Sequence, residues 1–126
     1  MIGPKKALLF LQAIFYIVAG ANHFINPGFY QRIMPPCLPW PDTLHLSAGA
    51  IEIGLGLLLL VRRCRRVAAV GLILLLLAVY PANIHVFLNR HLYTEVPELF
   101  HWIRLPLQLV FIIWAASYVR DDRATN

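Results

Sequence analysis

The side chains best suited to chemistry in this sequence lie within long apolar stretches. Glu52 is flanked by glycine, isoleucine and leucine residues, and ionisable groups in such surroundings are costly and usually functional. Arg104 is the strong opposite charge placed to meet it. We therefore expect Glu52 to pair with Arg104 in a buried pocket, with His23 or Gln108 hydrogen-bonding the remaining lone pairs of the carboxylate. The alternative is a pair that only holds two helices together. It is less favoured because interhelical polar contacts in membranes average only about 0.6 kcal/mol.

Helical spacing groups the polar residues into four stripes, because residues three, four and seven positions apart share a face. The stripes are Gln12, Tyr16, Ala19 and His23; His45, Gly49, Glu52 and Gly56; Tyr80, Asn83 and Phe87; and His101, Arg104 and Gln108. If all four face inward, they form one polar pocket toward the outer leaflet. The candidate ligand-binding residues are Tyr16, Asn22, His23, Glu52, Asn83, Arg104 and Gln108.

The elements that must position these residues are four apolar stretches, at about 7–24, 44–61, 67–87 and 102–119. Each is close to the ~20 residues that a helix needs to cross a bilayer, and helix is the conformation that satisfies the backbone in lipid. A soluble domain of 126 residues could not bury a composition that is 60% hydrophobic and 13% charged, because small globules leave much surface exposed. The sequence predicts an all-α, single-domain (1–126) transmembrane four-helix bundle with a proline-rich outer loop, covered by the lipid bilayer.

The first stretch has a second interpretation, since two lysines, an apolar run and small residues imitate a secretory signal peptide. Its length and aromatic content favour an uncleaved helix. The outer loop, 26–43, contains five prolines, which remove backbone donors and restrain their neighbours. We expect this loop to be stiff, extended and non-helical, and to lie as a lid across the outer end of the bundle.

Basic residues cluster at three places: Lys5 with Lys6, the block 62–66, and Arg120 with Arg123. The loops 26–43 and 88–101 carry one arginine each. Because lysine and arginine concentrate in cytoplasmic loops, we predict cytoplasmic N- and C-termini, most consistent with a bacterial cytoplasmic (inner) membrane. The clusters flank apolar runs without interleaved aromatic residues, so topology explains them better than nucleic-acid binding.

The sequence offers little for a resident cofactor. Cys37 and Cys64 are predicted on opposite sides of the membrane, and no CxxC pair, zinc-type cluster or flavin motif is present. We therefore predict no metal site. A haem between His23 and His85 has no spacing rule to support it, and neutral hydrogen bonding is the default role of these imidazoles.

Four ordered blocks of the sequence resemble DoxX-like membrane proteins. They are AGANHF (19–24) followed by IMPP (33–36), SAG (47–49) with EIG (52–54), YPANI (80–84), and RLPLQ (104–108). The resemblance spans nearly the whole chain and implies a bacterial four-helix membrane protein. Its motif positions here are His23, Pro27, Tyr30, Glu52, Pro81, Asn83, Arg104, Pro106 and Gln108. Some DoxX-like relatives are associated with redox systems that include quinone oxidoreduction, and a distant animal relative is an assembly chaperone for acetylcholine receptors.

Three functions remain open. The first is a redox-associated subunit that binds a quinone or similar small amphiphile, in which Glu52 could relay a proton. Such a subunit would need a membrane or redox protein partner for catalysis and would not be a stand-alone enzyme. The second is a non-enzymatic membrane binding or assembly factor. The third is a small-solute transporter, for which four helices are few and no inverted repeat is visible, so that a homo-oligomer would have to complete it.

Overall fold

The computed structural model describes residues 3–120, and its elements are helices and short turns. The helices are α1 (Pro4–Ile25), α2 (Pro27–Ile33), α3 (Pro41–Leu59), α4 (Arg65–Leu88) and α5 (Glu98–Arg120), with 3-10 turns at Arg62–Cys64 and Arg90–Leu92. The all-α prediction is confirmed. Proline occupies the first turn of α1, α2 and α3, where its missing N–H has no intrahelical partner to lose.

Four of these helices, α1, α3, α4 and α5, are long and apolar enough to cross a membrane. Between 17% and 33% of their apolar windows is buried inside the protein, so most of each window faces outward. Large exposed side chains such as Val18, Val67, Leu74 and Ile113 lie on these outward faces. That distribution is expected where lipid covers the protein. Arg123, one of the basic residues used to predict topology, lies outside the described residues.

The prediction that residues 26–43 are extended and non-helical is wrong at both ends of that loop, because 27–33 form α2 and 41–43 begin α3. Pro27 begins the seven-residue helix α2, which ends at Ile33. A proline in the first turn of a helix favours the helix, because its missing N–H has no intrahelical partner there. The remainder, 34–40, is irregular and ends at Trp40, whose φ of 47° is the only positive non-glycine φ among the described residues. Trp40 stands between two prolines, and the one that follows it disfavours the ordinary helical conformation.

The tightest helix pair is α1 with α3, which run antiparallel and approach closely at glycines. A Cβ added at Gly49 would lie 2.6 Å from the His23 Cβ and 2.8 Å from the Gly20 carbonyl oxygen. At the other end of the pair, a Cβ at Gly56 would lie 2.9 Å from the Ala13 carbonyl oxygen. Small residues commonly permit such contacts between membrane helices. Gly54, by contrast, has nothing within 4 Å of an added Cβ.

The bundle has two different ends. The terminal end is where α1 begins and α5 ends, and the loop end carries α2 and the turn Arg90–Leu92. The terminal end holds an apolar core to which all four long helices contribute: Leu9, Ala13, Tyr16, Leu59, Ala68, Ala69, Leu72, Ala115 and Tyr118. Arg65 closes this end, because its buried guanidinium donates from Nε to the Leu59 carbonyl oxygen at 3.0 Å. That bond satisfies one of the carbonyls left over where α3 stops.

Candidate functional site

The loop end contains a buried imidazole–carboxylate pair between α1 and α3. Nε2 of His23 lies 3.2 Å from Oε2 of Glu52, and the two side chains are 11% and 19% exposed. The Gly20–Gly49 contact brings the two helices close enough for this pair to form. Although the atoms are close, their angles fall outside hydrogen-bond geometry, and His23 Nδ1 also has no hydrogen-bond partner. The carboxylate therefore has one near neighbour and unused hydrogen-bonding capacity.

Two further rings complete this group, one from α2 and one from α3. Tyr30 stacks on His23 with 3.8 Å between ring centroids and 17° between planes. His45 lies 5.9 Å from both rings and is nearly parallel to each. We call His23, Tyr30, His45 and Glu52 the loop-end site. Helix α2, which the sequence interpretation missed, is the element that places Tyr30 against His23.

His45 is the most enclosed member of the loop-end site. Its side chain is 2% exposed, and Nε2 lies 3.7 Å from Oδ1 of the exposed Asp42. Neither ring nitrogen forms a hydrogen bond. Buried polar groups in proteins nearly always have a partner, and each exception calls for an explanation. Two unpartnered nitrogens on one buried imidazole are the clearest sign that this site accommodates another polar group.

Tyr30 is held in place by Asn22, whose Nδ2 donates to the tyrosine hydroxyl at 2.9 Å. Burial raises the pKa of Tyr30 above its ordinary value, and the carboxylate of Glu52 adds to this effect. The Asn22 hydrogen bond and the positive charge of Arg104 lower the same pKa, without outweighing burial. The phenol is therefore neutral at physiological pH. Asn22, a predicted site residue, acts here by positioning Tyr30.

Further along α1, Tyr16 and Gln12 extend the polar surface toward the middle of the bundle. Gln12 is fully buried and Tyr16 is 2% exposed. The Gln12 amide atoms and the Tyr16 hydroxyl are near each other but form no hydrogen bond of standard geometry. These two residues lie one turn apart on the face of α1 that also carries His23, as the spacing predicts. Unsatisfied polar atoms beside an apolar core destabilise a fold, so their presence also points to a role other than packing.

Asn83 and Gln108, predicted to line the same pocket, instead bind each other between α4 and α5. Asn83 Nδ2 donates to Gln108 Oε1 at 2.5 Å, and Gln108 Nε2 donates to the Leu76 carbonyl oxygen at 2.6 Å. Leu76 lies five residues before Pro81, where proline disturbs the backbone hydrogen bonds of the helix. Gln108 thus supplies a donor to a carbonyl oxygen of the turn that precedes Pro81. The single pocket expected from the four stripes is divided into two clusters.

The predicted ion pair between Glu52 and Arg104 does not form. Among the described residues, the ionic partner of Glu52 is His23. The Arg104 guanidinium lies 5.9 Å from the centroid of the Phe100 ring, and no carboxylate of residues 3–120 lies within 4 Å of it. It still acts on the loop-end site, because its charge influences Tyr30. Spacing along each helix identified the polar faces but not how far α5 lies from α3.

A surface cleft of about 260 Å³ lies outside the loop-end site. It is formed by α2 and residues 92–96, and the salt bridge between Arg32 Nε and Glu95 Oε2, at 2.7 Å, lies beside it. Both side chains of that bridge are more than half exposed, and exposed pairs contribute little energy. The cleft contains none of the unpartnered buried atoms. We therefore assign the functional site to the enclosed polar group and not to the cleft.

The described residues contain no group of three or more His, Cys, Asp or Glu side chains placed to hold a metal ion. The loop-end site offers instead imidazole groups that can donate or accept, one carboxylate and one phenol. Such a set can hydrogen-bond carbonyl or hydroxyl oxygens and can exchange protons. His45 and Tyr30 were absent from the predicted site. The sequence feature that could have identified His45 is its position on the same helical stripe as Glu52. For Tyr30, it is its place among the positions at which the sequence resembles DoxX-like proteins.

Fold and site together define a four-helix membrane bundle with a buried polar group near one end. Residues 12–119 match the model of a family described as a domain of unknown function (DUF8561). Because the match covers most of the chain, the protein belongs to this family. Comparison with curated proteins found no match, and comparison with solved structures found none.

Proposed function

We propose that the protein binds a quinone or a similar small amphiphile at the loop-end site. The observation that carries this proposal is the buried imidazole of His45, with two nitrogens that form no hydrogen bond. An N–H from His45 can donate to a quinone carbonyl, and the nitrogen of a neutral imidazole can accept from a quinol hydroxyl. Tyr30 and His23 present ring faces beside these polar groups. Aromatic faces of this kind favour a flat conjugated ligand.

The surroundings of the site favour an amphiphile over a water-soluble ligand. Phe24, Leu44 and Ile51 are neighbours in sequence of the site residues and are 50%, 40% and 48% exposed. In a bilayer these side chains contact lipid tails. A ligand with an apolar tail could keep the tail in lipid and place its polar head between α1 and α3. Most small-molecule sites combine an apolar lining with a few placed polar groups in this way.

The redox association of this proposal rests on the resemblance to DoxX-like proteins. Among the described residues, no group of three or more His, Cys, Asp or Glu side chains is placed to hold a metal ion, and both Cys37 and Cys64 are free thiols. We therefore place the protein as a subunit that holds the ligand while a membrane or redox partner carries the electrons. It is not proposed to be an enzyme by itself.

The proposal is tested by measuring quinone binding to the purified protein in lipid nanodiscs. Short-chain benzoquinone is titrated into the wild type, the His45→Leu and Glu52→Gln variants, and an Asn83→Ala control. His45→Leu should weaken binding by about tenfold, the effect of losing one to two buried hydrogen bonds. Asn83→Ala should bind as the wild type does, because Asn83 is occupied with Gln108.

Two outcomes would overturn quinone binding. One is saturation that is equally weak in wild type and His45→Leu, which would mean partition into lipid without a site. The other is a loss in Asn83→Ala as large as that in His45→Leu. If no quinone binds while a membrane protein is specifically crosslinked to the wild type and not to Glu52→Gln, the alternative of an assembly factor replaces it.

We further propose that both termini face the cytoplasm of a bacterial cell and that the loop end faces outward. The support is the concentration of basic residues at 5–6 and 62–66. Cys37 is exposed at the loop end, and Cys64 precedes α4 at the terminal end. In intact spheroplasts, a membrane-impermeant thiol reagent should label the Cys64→Ala variant and spare Cys37→Ala. The reverse pattern would invert the topology.

A further inference from the structure

The polar groups of the loop end form a series that leads from the surface to a buried acid. Asp42 is 65% exposed on its side chain, and its Oδ1 lies 3.7 Å from Nε2 of His45. The rings of His45 and His23 are 5.9 Å apart between centroids. His23 Nε2 then lies 3.2 Å from the Oε2 of Glu52. The order is acid, imidazole, imidazole, acid, and each imidazole has two nitrogens, so that a proton can enter at one and leave from the other.

We infer that Glu52 exchanges its proton with the loop-end surface through His23, His45 and Asp42, and that it does not exchange protons with the terminal end. This route does not rest on quinone binding. It would operate with any occupant of the loop-end site, because it uses only side chains of the protein.

The proposed exchange moves one proton and no electrons. On the inward path the Asp42 carboxyl O–H bond breaks as an N–H bond forms at His45 Nε2. His45 then releases the proton at Nδ1, and His23 takes it at Nδ1, which is buried and unpartnered. Finally the His23 Nε2–H bond breaks as the O–H bond of Glu52 forms. None of the three contacts is a hydrogen bond in the resting structure, so each transfer requires rotation of a side chain or a bridging water.

The route ends inside the protein because the next polar groups lead to an apolar barrier. On α1, Tyr16 lies one turn before Gly20, toward the terminal end. Tyr16 and Gln12 continue the polar face past the level of Glu52 in that direction. Beyond Gln12 the core residues Leu9 and Leu72 are 0% exposed. The side chains of these two leucines cannot carry a proton, and the buried hydroxyl of Tyr118 beyond them is occupied by a hydrogen bond from Trp114 Nε1. The bundle therefore gives Glu52 access to one side only.

The other charged or titratable groups around Glu52 do not offer a competing route. Tyr16 and His23 face it from α1, Tyr30 acts on it from α2, and Arg104 of α5 acts on Tyr30. On α4 the titratable residues at this level are Tyr80 and His85. Neither forms a hydrogen bond or ion pair with Glu52 in the part of the chain that the structure describes. Asp42 is accordingly the surface acid best placed to serve Glu52.

The experiment follows Glu52 protonation by time-resolved infrared spectroscopy in sealed vesicles. The carboxyl band is assigned by its loss in Glu52→Gln, and orientation is fixed by thiol labelling of Cys37. After an external pH jump, the band should respond at once when the loop end faces outward. It should lag until the interior equilibrates when the terminal end faces outward. A prompt response to pH at the terminal end would overturn the inference.

Variants test the individual members of the route. His45→Gln and Asp42→Asn should each slow the loop-end response by about a hundredfold, the scale of a positioned acid–base group. Asp42→Asn changes a surface residue and keeps an Oδ1 that can accept the hydrogen bond from Gln31 Nε2, which is 2.6 Å long in the wild type. This variant therefore remains informative if His45→Gln folds poorly. Glu95→Gln removes another exposed loop-end acid and should leave the rate unchanged.

Wild-type rates in both Asp42→Asn and His45→Gln would contradict the route. A sided response in a protein that binds no quinone would support the route and refute the proposed ligand.

Discussion

The terminal end and the loop end of this bundle are formed by the same four long helices, but they bury different kinds of side chain. At the terminal end, leucine, alanine and the ring of Tyr118 fill the space between helices. At the loop end, two imidazoles and a carboxylate are buried without a complete set of hydrogen bonds. The helices that supply the apolar core could have continued it to the other end. The polar end is therefore costly in stability and is best explained by function.

The difference also concerns how the helices meet. Backbones of α1 and α3 approach closely along their length through Gly20, Gly49 and Gly56. In the loop-end half of α4 the one buried residue is Val86, whereas Ala68, Ala69 and Leu72 of the other half are fully buried. Packing of α4 against the bundle is thus concentrated at the terminal end. The comparison predicts that stability depends on one end and ligand binding on the other.

The largest effect should come from the terminal-end core. Leu72→Ala should lower the free energy of unfolding by about 2–3 kcal/mol, because a cavity opens among packed side chains. Leu74→Ala on the same helix is the matched control, since Leu74 is 61% exposed. It should change stability by less than about 0.5 kcal/mol. Unfolding in detergent micelles by denaturant measures both, and equal losses would show that no core exists at this end.

A somewhat smaller loss should follow from separating α1 and α3. Gly49→Ala places a methyl group 2.6 Å from the His23 Cβ, and overpacking of this kind costs about 1–3 kcal/mol. Gly54→Ala is the control, because its added methyl group meets nothing within 4 Å. The same unfolding assay applies, and Gly54→Ala should be neutral or slightly stabilising. If the two variants are equally stable, the close helix contact is not correct.

At the loop-end site, a substitution should reduce ligand binding much more than it reduces the free energy of unfolding. His45→Leu replaces an imidazole with no hydrogen bond by an apolar side chain of similar size, and such replacements are nearly neutral. We expect a change in unfolding free energy of less than about 1 kcal/mol, together with the loss of quinone affinity described above. A loss of stability comparable to that of Leu72→Ala would mean that the loop end is a structural core.

The smallest effect should appear at alkaline pH through Tyr30. Its pKa is raised mainly by burial, so the folded state holds the phenol proton more tightly than the unfolded state does. The resulting stability is complete below the ordinary pKa of tyrosine and is lost as pH rises through the raised value. The ultraviolet absorbance of the wild type, compared with that of Tyr30→Phe, should show that Tyr30 ionises at a higher pH than an exposed tyrosine does.

Asn22→Ala should raise the pKa of Tyr30 further, because the hydrogen bond from Asn22 favours the ionised form. An unshifted titration would indicate that Tyr30 is exposed.

The sequence predicted those parts of the fold that depend on local pattern. Length and hydropathy located the four long helices, and the spacing of Tyr16 and His23 identified the buried face of α1. Pairing between helices could not be read in the same way. Glu52 was assigned to Arg104 on charge alone, but its neighbour is fixed by the close approach of Gly20 and Gly49, which brings His23 within reach. Helix rotation and separation depend on contacts between distant parts of the chain, which spacing along one helix does not encode.

The same limit explains the division of the predicted pocket. Asn83 and Gln108 lie on polar stripes, yet their short hydrogen bond turns them toward each other. Tyr30 was placed in an extended loop because its neighbours include several prolines, although Pro27 begins a helix there. In each case the residue type was noted correctly, and the partner depended on tertiary structure.

Photo-crosslinking tests most directly the claim that the loop end is a ligand site. A photoreactive benzoquinone is activated in nanodiscs containing the protein, and the labelled peptides are identified by mass spectrometry. Labelling should fall on residues 20–52 of α1, α2 and α3, should be competed by unlabelled quinone, and should decrease in His45→Leu. Labelling concentrated on α4 and α5, or uncompeted labelling along all exposed apolar faces, would contradict a site formed by His23, Tyr30, His45 and Glu52.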